Sequence, residues 1–93
     1  MDSKEERKIL IQAIRHYGIE HQTDKAIEEC AELINTLIKF RDKRVETKEI
    51  ITEIADVQIM LNQLILMYSE TLDDVPNEIE RKLNRLWNRL IRE

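Results

Sequence analysis

Glycine and proline are almost missing: Gly18 and Pro76 are the only ones in 93 residues, where an average protein uses roughly 7% and 5%. Tight hairpin turns and bulges draw on these residues, so a hairpin-rich sheet is excluded. A single glycine also excludes a glycine-rich phosphate loop. Aromatic residues make up 4% of the chain. The one cysteine, Cys30, cannot close an internal disulfide, which fits a reducing compartment. No uninterrupted apolar run approaches the roughly 20 residues of a membrane span. The start, Met1 to Glu6, is charged where a signal peptide would be apolar. The expectation is a soluble, cytoplasmic protein with no membrane partner.

What is present suits amphipathic helices: 37% charged and 42% apolar residues. The length fits one domain, residues 1–93, whose stability margin as a monomer is thin. A net charge of -4 offers no positive field for a phosphate backbone, which weighs against nucleic acid. An acidic chain still binds a nucleotide when metal ions intervene.

The first helix is predicted to start at Ser3, with Glu6 completing a capping box. Ile9, Leu10, Ala13, Ile14 and Tyr17 recur at helical spacing, and Gly18 is the natural stop. The second helix is expected from about Gln22 or Thr23 to Arg41, with a wide apolar face running from Ile27 to Ile38. The charged stretch from Arg41 to Glu46 reads as a connection. The third helix, about Thr47 to Tyr68, is apolar on two sides, with Ile50, Ile54 and Leu61 on one and Ile51, Ile59 and Leu66 on the other. Such a helix needs two partners, and a small chain takes some of them from another subunit. Ser69 to Asn77 reads as a loop containing Pro76, and Asn77 with Glu80 as a capping box opening a last helix that carries Ile79, Leu83, Leu86, Trp87, Leu90 and Ile91. The fold class is all-α: a bundle of about four helices with two long central ones, completed by oligomerisation.

Two acidic motifs stand out. Glu28 and Glu29 lie four and three residues before Glu32, and Glu53 lies three before Asp56. Both spacings bring helical side chains together. If the two helices pack antiparallel, the turn absorbs the 21-residue step from Glu32 to Glu53, and the acidic pairs face each other. Converging carboxylates repel unless a cation sits among them. Oxygen ligands select Mg²⁺, Mn²⁺ or Ca²⁺ over zinc. Neither His16 nor His21 stands three residues after a Glu, which removes the di-iron pattern. By spacing alone these acids also read as an ordinary solvated face, with Glu28 and Glu32 opposite the apolar face of the second helix.

The stretch Lys25-Ala26-Ile27-Glu28-Glu29-Cys30-Ala31-Glu32-Leu33-Ile34, followed by Glu53-Ile54-Ala55-Asp56-Val57, resembles the E-E-x-x-E and E-x-x-D pair of the MazG-like, all-α nucleoside triphosphate pyrophosphohydrolases. The matching region spans about Gln22 to Leu66. The resemblance implies hydrolysis of nucleoside or deoxynucleoside triphosphates to the monophosphate and pyrophosphate, dependent on Mg²⁺ or Mn²⁺. It implies a homo-oligomer, dimer or tetramer, with the central helices in a four-helix core. Carried over, Glu29, Glu32, Glu53 and Asp56 are the metal ligands. Glu28 takes a water-orienting role, and Glu28 and Glu53 are the catalytic candidates.

Phosphate contacts are expected from Lys39, two turns beyond Glu32, and from Lys82 and Arg85, which correspond in general position to a late basic cluster of related sequences. Base contacts are assigned to His21, Gln22 and Trp87, against the plainer reading of Trp87 as packing. Cys30 reads as a small buried residue and not a nucleophile. The competing class is a non-catalytic helical interaction or regulatory module with an acidic face. A helix-turn-helix reading is disfavoured by the acidic balance.

Overall fold

A computed structural model describes residues 1–93 as four α-helices and no strand: α1 Ser3–Tyr17, α2 Ile19–Arg41, α3 Thr47–Tyr68 and α4 Asp74–Leu90. The first cap lies one residue earlier than predicted. Asp2, not Ser3, accepts from the Glu5 N–H at 2.8 Å. Gly18 does end α1, at φ 92, with its N–H on the Ile14 carbonyl at 2.8 Å. This left-handed backbone suits glycine, and it turns the chain so sharply that α2 begins at once. The expected start at Gln22 or Thr23 is therefore corrected to Ile19, which puts His21 in the first turn.

α3 begins where predicted. The Glu46 N–H donates to the Glu49 carboxylate at 2.8 Å, which closes its first turn. α4 begins earlier than predicted. Pro76 lies in its first turn, where a missing N–H costs nothing, and Asn77 is inside the helix and does not cap it.

α2 and α3 are the longest helices and pack antiparallel. Gln22 meets Gln63 near one end, and Glu29 meets Glu53 and Asp56 further along. Between them Ala26 and Met60 form the one fully apolar buried layer, at 4% and 5% exposure. α2 does not present its apolar face to α3. Gln22, Ala26 and Glu29, at i, i+4 and i+7, lie on the contacting side. Ile27, Ile34, Leu37 and Ile38 stay exposed. On α3 the contacting side carries Glu53, Asp56, Met60 and Gln63, and Ile51, Ile54, Ile59 and Leu61 are left open on both flanks. α1 packs against both helices, and Tyr17 stacks on His21 at 5.0 Å. α4 makes no more than passing contact with the rest.

The chain is therefore open. Its radius of gyration is 16.1 Å, where a compact chain of this length would give about 12 Å. Its accessible surface is 7697 Å², about 2,000 Å² more than a folded monomer of its mass would expose. α3 is long and apolar enough to cross a membrane by length and composition. Asp56 lies in its middle third, and an acid at a bilayer centre costs about 2.5–3.5 kcal/mol.

The buried glutamines fix the α2–α3 register. Gln22 Nε2 donates to Gln63 Oε1 at 2.7 Å, and Gln22 Oε1 lies 2.8 Å from His21 Nδ1. Because the amide oxygen only accepts, His21 Nδ1 carries the proton of that bond. Gln22→Leu leaves Gln63 buried without its partner and is expected to cost about 1–3 kcal/mol. Adding Gln63→Leu restores most of that loss. Chemical denaturation of the two singles and the double checks it, and additive losses would contradict the pairing.

Candidate metal centre

The antiparallel pairing brings one acid of α2 against two of α3. Glu29, Glu53 and Asp56 each offer a carboxylate oxygen, and these three oxygens lie within 4.8 Å of one another. Glu29 is buried at 8% exposure, and Glu53 and Asp56 are half-buried. Glu53 and Asp56 are one turn apart on the α3 edge that meets α2, between the two apolar stripes.

The oxygens are only partly satisfied. Lys25, one turn before Glu29, reaches Glu29 Oε1 at 3.3 Å and Glu28 Oε1 at 3.8 Å. Its ammonium is held above the usual lysine range, chiefly by the hydrogen bond to Glu29 and then by the charge of Glu28. Glu29 Oε2 and Glu53 Oε2 are buried with no hydrogen-bond partner. Buried carboxylate oxygens without donors are costly. Two of them in one cluster suit a hard divalent cation, which takes carboxylate oxygens as ligands.

Glu32 is exposed and outside the tight trio, yet it feels it. Its carboxyl is raised above the ordinary value of 4.5 by the charge of Glu29 first, then by desolvation, then by Glu53 and Glu28. A raised carboxyl holds its proton more tightly folded than unfolded. Its contribution to stability thus grows as pH falls from neutral through the raised value towards 4.5 and levels off below. In the metal-free protein, Glu32→Gln is expected to flatten the rise in Tm over that window. An unchanged pH profile would show that Glu32 is uncoupled from the trio.

The other predicted site residues are dispersed. Glu28 is exposed and paired with Lys25. Lys39 is exposed near the end of α2. Lys82, Arg85 and Trp87 stand on α4, away from the α2–α3 pair, with Lys82 3.9 Å from Glu78. Gln22 is buried and engaged with Gln63, so the chain does not gather His21, Gln22 and Trp87 into one pocket. Cys30 is half-buried. Sequence reasoning missed Lys25 as the cation beside the cluster, although its i,i+4 spacing to Glu29 was a readable signal.

The fold and site thus define an all-α chain with a convergent carboxylate cluster between two antiparallel helices. No protein family, curated protein or solved structure matches the chain.

Proposed function

We propose that the chain is a Mg²⁺-dependent nucleoside triphosphate pyrophosphohydrolase of the MazG-like type, acting in the cytoplasm as a homo-oligomer. The observation that carries this reading is the convergence of Glu29, Glu53 and Asp56 with two buried, unpartnered oxygens. The order and spacing of the two motifs support it.

Glu29, Glu53 and Asp56 would hold the ion, with Glu32 joining from one turn along α2. Mg²⁺ or Mn²⁺ bound there supplies charge neutralisation and polarisation of the α-phosphorus. Lys25 holds Glu29 on one oxygen and leaves the other for the ion. Glu28, exposed beside the cluster, orients the attacking water, and Glu53 is the alternative base. The products are a nucleoside monophosphate and pyrophosphate. Lys39, Lys82 and Arg85 are the cations proposed to meet the phosphates, the last two from an element that reaches a cluster only when chains assemble.

The test is a panel of ribo- and deoxyribonucleoside triphosphates with Mg²⁺, read by pyrophosphate release. Release with at least one nucleotide, abolished by a chelator, is the expected result. A second reading, a helical interaction module with no catalysis, draws on the exposed apolar faces of α2 and α3. Absence of release with every nucleotide, together with no metal-dependent rise in Tm, would favour it instead.

A further inference from the structure

We propose that α4 is an assembly arm whose apolar stripe docks on a second copy of this chain. The inference rests on the homo-oligomer reading above and not on the metal reading.

At 100° per residue, Ile79, Leu83, Leu86, Trp87 and Leu90 fall on one side of α4. All are 45% to 62% exposed. Lys82 and Arg89 flank one edge of that side, and Arg85, Asn77 and Asn88 lie away from it. No helix of the same chain covers the stripe.

The direction of the arm is set by a tied elbow. The Asp74 carboxylate accepts from the Glu70 N–H at 2.8 Å, the Thr71 N–H at 3.1 Å and the Thr71 hydroxyl at 2.8 Å. The Asp73 N–H donates to the same hydroxyl at 3.2 Å. The connector 69–73 is therefore a bonded turn that carries α4 off its own body, a geometry that favours exchange of an arm between copies.

Charge and area name the occupant. Residues 81–92 contain five Lys or Arg and no acid, a net +5; with -4 for the whole chain, the rest carries -9. A basic arm on an acidic body complements a second copy of itself. An anionic membrane, the other surface that takes a basic amphipathic helix, would attract the arm and repel the body. The surface exposed beyond the monomer expectation is about 2,000 Å² per chain, or about 4,000 Å² for a pair, which is the range of obligate homodimers.

The test is sedimentation velocity of the full chain between about 1 and 100 µM, a range that spans affinities typical of assembling subunits. The wild type is expected to run as a dimer or larger. Leu83→Glu with Leu86→Glu is expected to weaken assembly at least ~100-fold, with helix content unchanged by circular dichroism at concentrations where the variant stays assembled, because the stripe packs on nothing within the chain. Lys82→Glu with Arg89→Glu is expected to weaken it about tenfold at low salt and less at high salt. If the wild type is oligomeric and both α4 variants keep its mass, the arm is wrong and the oligomer reading survives. A monomeric wild type overturns both. A monomer that co-sediments with phosphatidylserine vesicles would assign α4 to a membrane surface instead.

Discussion

Glu53→Gln is expected to lower nucleotide hydrolysis roughly 10³-fold, the scale for losing one charged group at a metal-assisted phosphoryl site, and to raise the Tm of the metal-free protein. The two effects share one cause. Glu53 Oε2 is buried, lacks a donor and lies in a cluster with Glu29 and Asp56. An amide of the same size removes one negative charge and brings N–H groups that can satisfy a neighbouring carboxylate. Relieving that repulsion stabilises the empty fold by about 1 kcal/mol. The same change deletes a metal ligand, so the rise in Tm on adding Mg²⁺ shrinks or vanishes. Hydrolysis and thermal unfolding, each with and without Mg²⁺, check both halves. A variant with wild-type turnover rules Glu53 out as a ligand. A metal-free variant less stable than wild type would mean that Glu53 has a partner in the folded protein.

The second large effect concerns concentration. Five residues are buried in the single chain, and three of them, Gln22, Glu29 and Gln63, are polar. Ala26 and Met60 alone do not make a core able to offset the conformational entropy of 93 ordered residues. Folding is therefore expected to be coupled to assembly, through the open faces of α2 and α3. For a dimer that unfolds as it dissociates, each tenfold rise in concentration adds about 1.4 kcal/mol of stability. With about 2.1 cal/mol/K of unfolding entropy per residue, that raises Tm by about 3–4 °C. Over a hundredfold range the shift is about 7 °C. Scanning calorimetry from dilute to concentrated protein reads it directly. A Tm independent of concentration would mean that the single chain is stable alone.

Much of this was legible in the sequence, for identifiable reasons. The shortage of glycine and proline left helices as the consistent reading, and the 3.6-residue recurrence of apolar positions placed all four. The ends of α3 were readable because the charged run before Thr47 breaks the periodicity. The starts of α2 and α4 were not. A single glycine at φ 92 joins two helices without a loop, and Asp74 ties the connector in a way that no spacing rule announces. The acidic edge of α3 was placed correctly between two apolar stripes.

The orientation of α2 was harder to read. Periodicity pointed its apolar face inward, whereas the structure turns Gln22, Ala26 and Glu29 to α3 and leaves the isoleucines open. One chain's sequence records which face is apolar but not whether that face meets the same chain or another. That ambiguity also hid the position of α4, and with it the distance of Lys82, Arg85 and Trp87 from the acidic cluster.

The measurement that bears most directly on the carboxylate cluster as a catalytic metal centre is ³¹P NMR of a nucleoside triphosphate mixture incubated with the protein and Mg²⁺ in ¹⁸O-enriched water. Attack at the α-phosphorus predicts pyrophosphate and a monophosphate as products, with the ¹⁸O in the monophosphate and none in the pyrophosphate. It also predicts loss of both signals in Glu53→Gln. Unchanged triphosphates throughout, or orthophosphate and a diphosphate in place of these products, would contradict the account.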